Sequence, residues 1–356
     1  YMARAAFVMD RFMQPLGLQG KSFLPMLVGF GCNVPAIYAT RTLARRRDRI
    51  ITGLLIPFMS CGARLPVYIL FAQIFFPENK GTVVFTMYLL GILIAVVVGL
   101  ILNRTIFKTE AISNLVIELP QYHLPTFRNV WFYVRERTGS FIKNASTLIL
   151  GASVVIWLLM SIPIKPGNGF ADVVLEDSAY AAISGVTAPA LKPLGFGSWE
   201  SSGALISGFV AKEVVVSTTA QIYGLEEDAE EVEPGLFTED LVEIGTSFVT
   251  AAGDTIKSMP LIIGIDLFDG DEESESLGLM AKIRENFEVT SNGHSQLAAF
   301  AFMVFVLTYT PCVVVVSVQR QEYGARWMWF SIIGQLVIAW LLALVVFQGG
   351  LLLGIG

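Results

Sequence analysis

The sequence predicts an all-α, polytopic membrane protein, a bundle of transmembrane helices in which several spans are broken into half-helices. Three observations carry that prediction. Of 356 residues, 54% are hydrophobic and only 15% are charged, with a mean hydropathy of +0.63. The charges are gathered into a few stretches, which leaves apolar runs near the ~20 residues needed to cross a bilayer. Within several of those runs Gly, Pro, Asn and Ser cluster around a cysteine. Hydrocarbon supplies no hydrogen bonds, so backbone freed at such breaks must be buried in protein or line a wet cavity. The net charge of −6 is split between basic and acidic segments and gives no argument for a nucleic-acid partner.

Residues 1–22 read as an interfacial amphipathic helix with Arg4, Asp10 and Arg11 interleaved, closed by a turn at Pro15 and Gly17. Gly20, Lys21 and Ser22 resemble the end of a phosphate-binding loop, but Pro15 stands where that motif needs its first Gly and no strand precedes it, which excludes a nucleotide site there. The chain opens on Tyr1 in an already structured segment, as expected for a piece of a longer protein.

Residues 23–103 form a first gate region with membrane spans. Leu24–Thr40 is about 17 residues, short for a full crossing, and Gly29, Gly31 and Pro35 interrupt it, so a half-helix pair or a re-entrant element is expected. Arg41–Arg49 carries five arginines and one Asp, which places that loop on the cytoplasmic side. Ile50–Phe76 is a span broken at Ser60-Cys61-Gly62-Ala63-Arg64-Leu65-Pro66, with Arg64 an intramembrane charge. Thr82–Leu102 has no charge and reads as scaffold.

Residues 104–143 read as a second cytoplasmic loop, with His123 a surface residue between Pro120 and Pro125. Residues 144–223 hold two further apolar stretches separated by an interfacial helix and turn. The second, Trp199–Tyr223, carries Lys212 and Glu213 at its centre. Charges at that depth cost about 2.5–3.5 kcal/mol each on insertion scales unless they face a cavity or a partner. Glu213 is therefore a candidate for attracting a cation, with an ion pair locking two helices as the alternative.

Residues 224–294 read as an acidic extramembrane insert: Glu226–Glu243 holds nine acidic residues and no basic one, and Asp269–Glu275 adds five. Such runs concentrate cations or simply solvate a loop, and the residues leave its side of the membrane open. Residues 295–356 form a second gate region, broken at Thr308-Tyr309-Thr310-Pro311-Cys312, and a last span whose Trp327 and Trp329 fit an aromatic belt.

All three cysteines, Cys32, Cys61 and Cys312, lie in apolar segments beside helix breakers, and an odd count of this kind argues against a disulfide framework. A break followed by an arginine-bearing loop occurs near both ends (Cys32, Pro35, Arg41; Pro311, Cys312, Arg320), a pointer to a repeat-built transport site. If the cysteines converge, they offer sulfur and free carbonyls, with Asn33, Ser60, Thr308 and Thr310 nearby. Sulfur suits ferrous iron, copper, zinc or manganese ahead of Mg2+ or Ca2+. Hydrolytic motifs such as HExxH, CxxC or a Ser–His–Asp set are not present.

The segments Gly29-Phe30-Gly31-Cys32-Asn33-Val34-Pro35-Ala36, Pro57-Phe58-Met59-Ser60-Cys61-Gly62-Ala63-Arg64-Leu65-Pro66, Ala211-Lys212-Glu213 and Tyr309-Thr310-Pro311-Cys312 resemble the gate motifs and their neighbours in the FeoB family, ferrous iron transport protein B. The resemblance also takes in Tyr1–Phe7 and the Arg45–Arg49 loop, and covers most of the chain. It implies the membrane domain of a prokaryotic importer of Fe2+ in the cytoplasmic (inner) membrane. It further implies a cytosolic GTPase domain in the same polypeptide, outside this chain, through which alone GTP and Mg2+ would enter. That domain is expected against Arg41–Arg49 and the 104–143 loop.

A small cytosolic accessory protein and a homo-oligomer are further partners the resemblance allows. Carried over by motif, Cys32, Cys61 and Cys312 would form the transport path with Asn33 and Glu213. Gly31, Pro35, Gly62, Pro66 and Pro311 would be the gate's helix breakers, and Arg64 and Lys212 its intramembrane charges. The acidic insert is foreign to the family pattern. A nucleoside-type or other gate-domain permease, and a membrane sensor or scaffold in which the cysteines only pack, are the alternatives.

Overall fold

The computed structural model describes residues 2–107, 126–164, 175–224 and 273–354, which are helical with connecting turns; the single β-bridge among them joins Pro163 to Ser178. Fourteen α-helices are seen among the described residues. They run α1 (Met2–Met13), α2 (Phe23–Gly29), α3 (Asn33–Ala39), α4 (Arg46–Leu55), α5 (Leu65–Phe75), α6 (Lys80–Thr105) and α7 (Phe127–Ser161), and continue with α8 (Ala179–Leu191), α9 (Trp199–Val210), α10 (Val214–Gly224), α11 (Glu273–Ser291), α12 (Ser295–Thr308), α13 (Val313–Tyr323) and α14 (Ala325–Leu352). The chain divides into two compact units, Tyr1–Thr219 with Arg284–Gly356, and Ala220–Ile283; the described part of the second is the end of α10 and the start of α11.

Among the described residues, four segments are long and apolar enough to cross a membrane: Arg46–Phe75, Lys80–Thr105, Ser295–Tyr323 and Ala325–Leu352. Their burial sorts them into two kinds. The continuous helices α6 and α14 are only 28% buried over their apolar windows, whereas the broken segments Arg46–Phe75 and Ser295–Tyr323 are 67% and 78% buried. Unbroken helices satisfy their own backbone and can face lipid; broken ones cannot, so they occupy the centre. Phe85, Leu93, Ile333 and Val345 accordingly face outward, and the outward face of this all-α membrane bundle is apolar.

Small residues let the outer helices approach the breaks. Gly91 on α6 brings that helix against the second break, where a Cβ would stand 2.8 Å from the Phe58 carbonyl oxygen. At the other end Gly53 makes room for the Tyr323 ring, whose hydroxyl shares a 2.8 Å hydrogen bond with Thr40 Oγ1. The turn after α3 and the last turn of α13 meet here too, with Arg41 Nε 2.9 Å from one Glu322 carboxylate oxygen. The two distant stretches that echo one another in sequence are thus neighbours in space.

Several boundaries differ from the sequence expectation. Helix α7 begins at Phe127 and runs unbroken through residue 143, because the charges at Arg128 and Arg135 lie along one continuous surface helix and do not end it. The main unit resumes at Arg284, ten residues before the expected end of the acidic insert. The cause is Phe287, 2% exposed, which packs between Phe71, Phe75 and Phe302 at centroid distances of 5.5–5.7 Å. Gly20-Lys21-Ser22 is a single helical turn whose Gly20 N–H donates to Asp10 Oδ1 at 2.7 Å, a tie to α1. His123 and the acidic runs of 226–243 and 269–272 lie outside the described residues.

Candidate functional site

Among the described residues four helix pairs are interrupted: α2/α3 at Gly31–Cys32, α4/α5 across Ile56–Arg64, α9/α10 at Ala211–Glu213 and α12/α13 at Tyr309–Cys312. The first, second and fourth breaks follow from their Gly, Pro and Asn residues. The third has no proline, and sequence reasoning took Trp199–Tyr223 as one stretch. The signal that could have revealed it is the Lys212–Glu213 pair itself, since two adjacent charges at depth are tolerated only where the backbone opens onto polar surroundings.

Each cysteine occupies the same local position. Cys32 (φ −151°, ψ 130°), Cys61 (φ −76°, ψ 161°) and Cys312 (φ −59°, ψ 156°) are extended residues immediately preceding a helical start. Pro35 and Pro66 fall in the first turns of α3 and α5, where a missing N–H leaves nothing unsatisfied. They therefore start half-helices, while Pro311 lies in the break itself. Each cysteine thus sits at the start of a half-helix and lines the same cavity.

The three thiols line one cavity of about 150 Å³, together with Gly31, Asn33, Lys212 and Glu213. Gly62 N–H donates to Gly31 O at 3.1 Å, which ties the first two breaks by their backbones. Arg64, fully buried, donates to Pro57 O at 2.9 Å and Met59 O at 3.2 Å, satisfying carbonyls its own break releases. Lys212, 3% exposed, reaches across to the fourth break: its Nζ donates to Thr310 O at 3.1 Å and lies 3.4 Å from the Tyr309 ring centroid. That arrangement replaces the ion pair expected as the alternative for Lys212 and Glu213; Glu213 is exposed and borders the cavity.

Asn33 is 4% exposed, and its Oδ1 has no hydrogen-bond partner among the described residues. Buried amide oxygens are rarely left so, and this one belongs to a cavity-lining residue. The hydroxyls of Ser60 and Thr308 are engaged instead with Tyr68 Oη (3.1 Å) and Val304 O (2.8 Å). Among the described residues no group of three or more His, Cys, Asp and Glu side chains is gathered closely enough to hold a metal ion. The three cysteines share a cavity without forming a closed ligand set.

Helix breaks meeting at one central cavity, inside an apolar bundle, define a membrane protein of the gate-domain class. A family model described as "Nucleoside recognition" (Gate) matches residues 1–75 and 142–326, and one described as "Ferrous iron transport protein B C terminus" matches residues 84–137. The curated "Fe(2+) transporter FeoB" of Staphylococcus aureus (strain MSSA476) is 36% identical over 351 residues, and that of Salmonella typhimurium (strain LT2) 39% over 357 residues; each alignment covers 98% of this chain and 44% of the relative. The chain belongs to the FeoB family, and it spans about half the length of the curated relatives it matches. No solved structure matches it.

Proposed function

We propose that the chain is the membrane domain of a ferrous iron importer, in which Fe2+ passes Cys32, Cys61 and Cys312 with Asn33 Oδ1 and Glu213 as oxygen ligands. The observation that carries this reading is the convergence of all three cysteines, from three separate breaks, on one cavity beside an unpartnered buried amide oxygen. Sulfur with a few oxygens suits a borderline divalent ion such as Fe2+. The names of the relatives support the same cargo. In this mechanism thiols and freed carbonyls replace the ion's water stepwise, and the half-helices shift to pass it on. A GTPase domain of the same polypeptide regulates or drives that shift from the cytoplasmic face of the inner membrane. A cytosolic accessory protein and self-association belong to the same reading.

The gate-type family model raises a nucleoside as rival cargo. Pockets that hold organic ligands run from about 300 Å³ upward, roughly twice the cavity here.

Anaerobic Fe2+ uptake by cells lacking other iron importers tests the proposal. With the complete polypeptide expressed, each single Cys→Ser variant is expected to lose uptake at least tenfold at unchanged membrane abundance. Full uptake in all three variants would leave the cysteines as packing residues, and no uptake by the intact protein would point to another cargo.

A further inference from the structure

We propose that the Thr310 carbonyl is a cation subsite that Lys212, held over the face of Tyr309, occupies in the ion-free state, and that the transported ion enters by displacing this tethered ammonium. The inference rests on the functional reading above and assigns a role to a residue that reading does not use.

Burying an ammonium is costly unless something compensates it. Among the described residues, the partners Lys212 has are the Thr310 carbonyl at 3.1 Å and the Tyr309 ring at 3.4 Å. Both are groups that bind cations in general: a carbonyl dipole and a π-face. Tyr309 is itself positioned by packing, its ring stacked 5.6 Å from Phe305 and its hydroxyl donating to Leu205 O at 3.4 Å on α9, the helix that leads into Lys212. Gly208 completes the fit, since a Cβ there would stand 2.3 Å from the Tyr309 hydroxyl.

The subsite adjoins the proposed path at both ends. Thr310 is two residues from Cys312, and Lys212 precedes Glu213, and Cys312, Lys212 and Glu213 all line the cavity. An ion that takes Cys312 can also take the Thr310 carbonyl only if the ammonium leaves it. Two positive charges cannot share one oxygen in a medium of low dielectric, so occupancy by one excludes the other. When the ion moves on, the tethered ammonium returns, which disfavours re-entry and limits the residence of the cargo.

The sign of one change tests this. Fe2+ binding to the detergent-solubilised complete polypeptide, measured anaerobically by equilibrium dialysis, is expected to tighten tenfold or more in Lys212→Met, because a competing cation is gone. Lys212→Arg is expected to stay within about threefold of the wild type. Tyr309→Leu, which loosens the hold on the ammonium without touching the cavity's thiols, is expected to tighten binding severalfold and serves if Lys212→Met does not accumulate. Loss of a merely structural residue would weaken binding, so weakened or unchanged binding in both variants, with the wild type binding Fe2+, overturns the inference alone. A wild type that binds no Fe2+ overturns it together with the proposed cargo.

Discussion

Arg64→Met is expected to destabilise the membrane unit by roughly 2–4 kcal/mol, seen as a lowered thermal midpoint of the complete protein in detergent. Arg64 is fully buried and donates to the carbonyls of Pro57 and Met59, both set free where α4 gives way to α5. Each buried carbonyl left unpaired costs about 1–3 kcal/mol, and relief from burying a guanidinium returns part of that sum. Met keeps the length and apolar stem of the side chain, so lost packing contributes little. Arg64→Lys offers a single compact donor group where the guanidinium forks, and is expected to recover part of the loss. Because Cys61 lies between those carbonyls and Arg64, the same variants are expected to alkylate faster at Cys61.

Gly91→Val is the second large effect. A Cβ at Gly91 would meet Phe58 O at 2.8 Å and Leu307 Cδ1 at 3.2 Å. The first of these is backbone, in the break that precedes Cys61, and cannot rotate away. Overpacking of this kind costs typically about 1–3 kcal/mol, and a β-branched residue adds bulk on both sides of the helix. The break would have to move away from α6, taking Cys61 out of line with Cys32 and Cys312, so Fe2+ uptake should fall along with stability. Gly334→Ala on α14, where nothing lies within 4 Å of the added Cβ, is the matched control. Its expected effect is a gain of up to about 1 kcal/mol from helix propensity alone.

Much of this site was legible because breaking a membrane helix takes particular residues. Gly31, Gly62 and Pro311 announce their breaks, and the cysteines beside them mark what those breaks expose. The part that stayed hidden depends on partners far away in sequence. Nothing near Lys212 says that its ammonium will reach Thr310, 98 residues on, and the sequence offers only an ion pair locking two helices as its partner. Likewise Arg64 reads as a lone charge until the fold shows it turning back on Pro57 and Met59. Phe287 sits at the end of a strongly acidic stretch, and two of the three rings that set its place, Phe71 and Phe75, lie over 200 residues away. Helix α7 was cut short in the sequence reading because charges on its exposed surface resemble a loop in composition.

The central claim is that three thiols, brought together from three breaks, meet the transported ion. X-ray absorption at the iron edge of the complete polypeptide, loaded anaerobically with Fe2+, tests it most directly. Sulfur scattering in the first coordination shell, reduced stepwise by Cys32→Ser, Cys61→Ser and Cys312→Ser, is the predicted result. A shell of oxygen and nitrogen alone, the same in the wild type and in all three variants, would contradict it.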